Sequence, residues 1–147
     1  MKTLAVAYGS TFIAFLAIDS IWLTLMAEQL YRPAIGELLA PEFRLAPAIV
    51  FYLLYIGGLT YLAVRPGLLS GSIRTVLING AILGLTAYGT YDLTNQATLK
   101  IWPVTLTIAD LLWGTFLSAA ASAVAYWSTM KFAPPPRGLL SRFRTSG

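Results

Sequence analysis

The sequence predicts an all-α membrane protein, a bundle of four transmembrane helices with both termini inside (N-in/C-in). Three observations predict it. First, the 147 residues are 57% hydrophobic and 11% charged, whereas a soluble domain is about 45–50% apolar and about 25% charged. Second, the apolar residues gather into four runs, spanning about 4–26, 45–64, 75–97 and 104–126, each long enough for a hydrocarbon core of about 30 Å. Third, the basic residues flank those runs unevenly. With the N-terminus inside, Lys2, Arg65, Arg74, Lys131, Arg137, Arg142 and Arg144 stand on the cytoplasmic side, and only Arg32, Arg44 and Lys100 stand outside. Seven against three sets the orientation.

Taken in order, the first run holds Asp19 and lacks a small-x-small cleavage site after it, so it reads as an uncleaved helix rather than a signal peptide. Residues 27–44 read as an outer loop broken by Pro33 and Pro41. Between those prolines, residues 34–40 form either a short interfacial helix or an irregular connector. The second run tolerates Pro47 in its first turn. Its tyrosines, Tyr52, Tyr55 and Tyr61, are expected to pack or anchor. Residues 65–74, with Pro66, Gly67 and Gly71, read as a turn-rich connector. Trp102 and Trp127 bracket the fourth run; their 25-residue separation gives roughly 38 Å along a helix, the spacing of two aromatic belts. Residues 1–132 thus form the membrane domain, and 133–147 a proline-led, basic cytoplasmic tail suited to an anionic membrane surface.

Composition also narrows the chemistry. Zero cysteines and zero histidines remove thiolate catalysis, thiolate metal sites and the usual neutral-pH base. Only hard-cation sites of oxygen ligands stay open. The net charge of +4 flanks the apolar runs instead of sharing one face, which argues against nucleic acid as a partner and for the lipid bilayer.

The polar content of the runs is concentrated. Asp19, Asp92 and Asp110 each lie four to six residues to the outer side of their helix midpoint, roughly 6–9 Å from the bilayer centre. An ionisable residue at such depth is a functional-site hypothesis by default. Gly80, Gly84, Tyr88 and Asp92 recur at i+4 on one stripe, and Asp110, Gly114, Ser118, Ser122 and Tyr126 on another. Small residues so arranged are helix-packing seams, and they turn the aspartates at their ends toward the bundle interior. Asp19-x-x-Trp22-x-Thr24 and Asp110-x-x-Trp113-x-Thr115 repeat one pattern. No lysine or arginine lies within the runs, so loop cations fold inward, or the acids hold protons, or a cation binds.

At Tyr91-Asp-Leu-Thr-Asn95, followed by Trp102-Pro103 and Asp110-x-x-Trp113-Gly114, the chain resembles a family of small bacterial predicted membrane proteins of uncharacterised activity, catalogued as domain of unknown function twenty-one seventy-seven. The resemblance implies a four-helix protein of the bacterial inner membrane and implies no catalytic residue or cofactor. From the residues, the expected function is binding or transport at an acidic, aromatic-walled pocket open to the outer side, lined by Asp19, Trp22, Tyr88, Asp92, Asn95, Asp110 and Trp113. The ligand, whether a small molecule or a cation, is unspecified, and a transport pathway through so thin a bundle calls for a homodimer. An accessory subunit with a structural polar core is the alternative. A metal-dependent enzyme acting on lipid stands third, because no Asp-x-x-x-Asp cluster is present.

Overall fold

A computed structural model describes residues 1–136, so the basic tail lies outside the described residues from position 137 onward. Four long helical stretches make up the described chain: α1 (Lys2–Leu38), α2 (Leu45–Ser70), α3 (Ile73–Thr98) and α4 (Val104–Phe132). Three of them, α1, α2 and α4, are long and apolar enough to cross a membrane. The third is as long, but Asn79, Asp92, Asn95, Gln96 and a row of threonines dilute its apolar content. Below, the "upper" end of the bundle is the one where α3 ends and α4 begins.

The first two stretches outrun their expected lengths for one shared reason. Residues 27–38, expected to belong to a loop, continue α1, and residues 65–70, expected in a connector, continue α2. In each case an Arg-Pro pair follows a π-helical turn, Ala27–Tyr31 before Arg32-Pro33 and Thr60–Val64 before Arg65-Pro66. A proline ring inside an α-helix collides with the carbonyl four residues back. The wider π turn moves that carbonyl aside, because Arg32 N–H bonds to the Ala27 carbonyl and Arg65 N–H to the Thr60 carbonyl, five residues back in each case. Pro66 has no N–H to give the Leu62 carbonyl, and Asn79 Nδ2 of α3 donates to it at 3.0 Å. That bond accounts for the lone amide in the lower half of α3. The second stretch finally ends at Gly71, whose φ of +65° only glycine adopts freely. Ser72 then caps α3 by accepting from Thr75 N–H at 3.2 Å.

The fourth stretch is the hub, with α1 on one side and α3 on the other. Its buried residues, among them Leu106, Thr107, Asp110, Gly114, Leu117, Ser118, Ala121 and Tyr126, recur at three- and four-residue intervals. Both neighbours run antiparallel to it. On the α1 side, Ala7 shares a cluster with Ala125 near the lower end, and Phe15 shares one with Leu117 midway. On the α3 side, the two backbones touch: a Cβ on Gly84 would stand 2.2 Å from the Gly114 carbonyl oxygen, and one on Gly80 would stand 3.0 Å from that of Ser118. The small-residue stripe is therefore a contact seam, as its spacing predicts. Outside this core, Ile13, Ile21, Leu54, Ile82, Leu112 and Phe116 are each more than half exposed, an apolar girdle that water would not tolerate. The lower half of α2 packs on α3, whereas its upper half leans on α1.

Candidate functional site

Above the core, the two Asp-x-x-Trp motifs face one another on α1 and α4. Because the helices are antiparallel, the Asp of one motif is level with the Trp of the other. Trp113 Nε1 donates to Asp19 Oδ1 at 3.3 Å. At the opposite corner Trp22 Nε1 donates to the Tyr31 hydroxyl at 3.0 Å, and Tyr31 in turn donates to Asp110 Oδ1 at 2.6 Å. Between them the two indoles stack with centroids 4.3 Å apart and planes 8° from parallel. So the repeat is a reciprocal clasp, and opposite helix direction is what makes it work. Tyr52 of α2 completes it by donating to Asp19 Oδ2 at 2.9 Å. Hydrogen bonds to a charged acceptor contribute about 1.5–3 kcal/mol each, and an aromatic stack adds about 0.5–1.5 kcal/mol beyond its burial.

Loop cations do not fold inward to meet the acids. Arg32 pairs with Glu28 at 2.7 Å on the surface, and Arg44 and Lys100 are exposed. Neutral Tyr and Trp donors serve Asp19 and Asp110 instead. Nor do the three acids converge. Asp19 is level with Trp113, one helical turn below Asp110, and among the described residues no group of three acids stands close enough to hold a metal ion.

Asp92 differs from the other two. It is 0% exposed, and neither of its carboxyl oxygens has a hydrogen-bond partner. The contacts of Gly84 and Tyr88 with Gly114, and of Gln96 with Thr107, set it against the turn of α4 between Thr107 and Asp110. Leaving a buried polar group unmatched costs about 1–3 kcal/mol, and more for a charge. One turn above it, Trp102 Nε1 donates to Thr107 Oγ1 at 3.1 Å, and that hydroxyl donates to Gln96 Oε1 at 2.8 Å. This chain of bonds ties the α3–α4 loop down over Asp92. One turn below, the Tyr88 ring lies on Gly114, where a Cβ would stand 2.2 Å from it.

Of the expected site residues, Asp19, Trp22, Asp110 and Trp113 share one network, and Tyr88 and Asp92 lie beside it on α3. Asn95 is half-buried, with its backbone carbonyl accepting from Leu99 N–H at 2.8 Å; its neighbour Gln96 makes the cross-helix bond. Sequence reasoning missed Tyr31, Gln96 and Thr107 as site residues and gave Tyr52 a packing or anchoring role. It also expected a pocket open to the outer side, whereas all three acids are less than 7% exposed. A groove of about 390 Å³ at the upper end is lined by residues Arg32 to Leu38 and by Ile101.

Long apolar helices, an apolar girdle and buried acids held by aromatic donors define a polytopic helical membrane protein. The chain belongs to the family described as Predicted membrane protein (DUF2177), whose match covers residues 4–127. Neither the curated proteins nor the solved structures contain a match.

Proposed function

We propose that this chain crosses the membrane four times with both ends cytoplasmic, and that it binds a cation or cationic group at Asp92, the binding step of a transport protein. The observation that carries this reading is the unpartnered carboxyl of Asp92, sealed within the bundle beside a second acid. Leaving such a group unmatched costs about 1–3 kcal/mol, and an ionisable side chain buried at membrane depth is a candidate functional group by default. In this reading Asp19 and Asp110 shape the site through the indole clasp. The four-span topology puts the upper end on the outer side, consistent with the seven-to-three distribution of basic residues.

The hydrogen bonds that Asp19 and Asp110 already accept from Tyr52, Trp113 and Tyr31 favour a second reading, an accessory subunit whose polar core only fixes helix packing. One titration separates the two. Intrinsic tryptophan fluorescence, to which Trp22 and Trp113 contribute, is followed while sodium or methylammonium chloride is titrated in, with Asp92→Asn titrated identically to cancel ionic-strength effects. Binding predicts a saturable change that Asp92→Asn abolishes while helical content is kept. Superimposable curves for the wild type and Asp92→Asn would leave the accessory reading standing.

A further inference from the structure

Tyr31 stands in a segment that sequence patterning reads as a loop, yet its hydroxyl is joined to both halves of the clasp. It accepts from Trp22 and donates to Asp110. Like α2, the segment around it carries a π turn before an Arg-Pro pair; unlike α2, it closes on a 3₁₀ turn. It enters through the π turn Ala27–Tyr31, continues as a single α turn, Arg32–Ile35, and closes with the 3₁₀ turn Gly36–Leu38. Beyond Tyr31, only Ile35 is buried, and the groove of about 390 Å³ separates this stretch from Ile101 on the α3–α4 loop. A π turn is a strained insertion that recurs at functional sites, and it is the natural place for such a stretch to pivot.

From this geometry we infer that residues 27–38 are a hinged lid over the upper mouth of the site, latched shut by the Tyr31 hydroxyl on Asp110. The lid rests on the reading of Asp92 as a ligand site only in what it lies beside; its motion is measured without any ligand. With the latch made, Asp110 is 4% exposed and the site is shut off from water. With the latch broken, the segment swings about the π turn into the space of the groove. Asp110 then meets the outer solution. Tyr31→Phe keeps the ring and removes the one atom that makes both bonds. Loss of a hydrogen bond to a charged acceptor raises the open population roughly ten- to hundredfold.

The acids report on this directly. A water-soluble carbodiimide with glycinamide modifies carboxyls that meet water, and peptide mass spectrometry reads each aspartate separately. Tyr31→Phe is expected to raise the modification rate of Asp110 roughly ten- to hundredfold. Asp19, held by Tyr52 and Trp113, should be unchanged. Tyr52→Phe is the matched control: it takes a hydroxyl donor from Asp19 without touching residues 27–38 and should leave the Asp110 rate unchanged. Equal Asp110 rates in the wild type and Tyr31→Phe would overturn the latch. A joint rise at Asp110 and Asp19 in Tyr31→Phe would overturn it too, by showing that Tyr31 holds α1 to α4 rather than a lid to its site. A cation titration that fails while Asp110 alone responds would remove the binding reading and leave the lid.

Discussion

Gly84→Ala is the sharpest test of how α3 meets α4. An ideal Cβ at that position stands 2.2 Å from the Gly114 carbonyl oxygen, 2.6 Å from Ser118 Oγ and 2.8 Å from the Gly114 carbonyl carbon. Ordinary van der Waals contact begins near 3.4 Å, so the nearest approach falls short by 1.2 Å (3.4 less 2.2). Two of the three atoms are backbone of a well-packed helix and cannot rotate away. The helices must separate by roughly 1 Å along the whole seam, which undoes the packing of Tyr88 on Gly114 one turn above. Overpacking of this kind costs about 1–3 kcal/mol. The same substitution at Gly9, where a Cβ meets nothing within 4 Å, removes glycine's backbone entropy and should stabilise by about 0.5–1 kcal/mol. Unfolding in mixed micelles of increasing SDS fraction, followed by circular dichroism, measures both. Gly84→Ala should unfold earlier than wild type and Gly9→Ala no earlier. If Gly84→Ala unfolds with the wild type, the seam does not exist as described.

Other consequences follow from single bonds. Tyr52→Phe leaves Asp19 Oδ2 without its donor and should destabilise by about 1–3 kcal/mol in the same SDS titration. Asn79→Leu strands the Leu62 carbonyl beside Pro66 and should lower stability by about 1–3 kcal/mol, with loss of amide-exchange protection centred on Thr60–Val64. Asp92→Leu has no protein hydrogen bond to break, so it should unfold no earlier than the wild type while losing any cation response. Earlier unfolding would reveal a partner for Asp92 within the protein. A C-terminal alkaline phosphatase fusion should be inactive in bacterial cells, and an active fusion would overturn the topology with both ends inside.

Much of this was legible in the sequence because it is local and periodic. The recurrence of Gly80, Gly84 and Tyr88 at i+4 announces a seam on α3, and Gly114 and Ser118 announce its counterpart, since small residues at that spacing have few uses besides close approach. The burial of Asp92 and Asp110 follows from their places on those stripes. What escaped is non-local. The Tyr31–Asp110 bond joins residues 79 apart, and no periodicity connects them. Both Arg-Pro pairs looked like breaks because proline normally ends a helix; the π turns that absorb them leave no compositional mark. The repeated Asp-x-x-Trp pattern was visible, but its meaning lay in the antiparallel pairing that matches each Asp to the other motif's Trp level. The expected loop cations failed for an energetic reason. Tyr and Trp bring a donor into the bundle without a second desolvated charge, so Arg32 and Lys100 stay in the solvated surface.

The central claim is that Asp92 is completed by something other than this chain. A density map of the wild-type protein, purified with its native lipid and with sodium or methylammonium at saturating concentration, tests it most directly at the two oxygens of that side chain. The account predicts non-protein density within hydrogen-bonding or coordination distance of Asp92 Oδ1 or Oδ2, absent from the same map of Asp92→Asn. A protein side chain turned onto Asp92, with no additional density beside it, would contradict the account and make the acid a part of the packing.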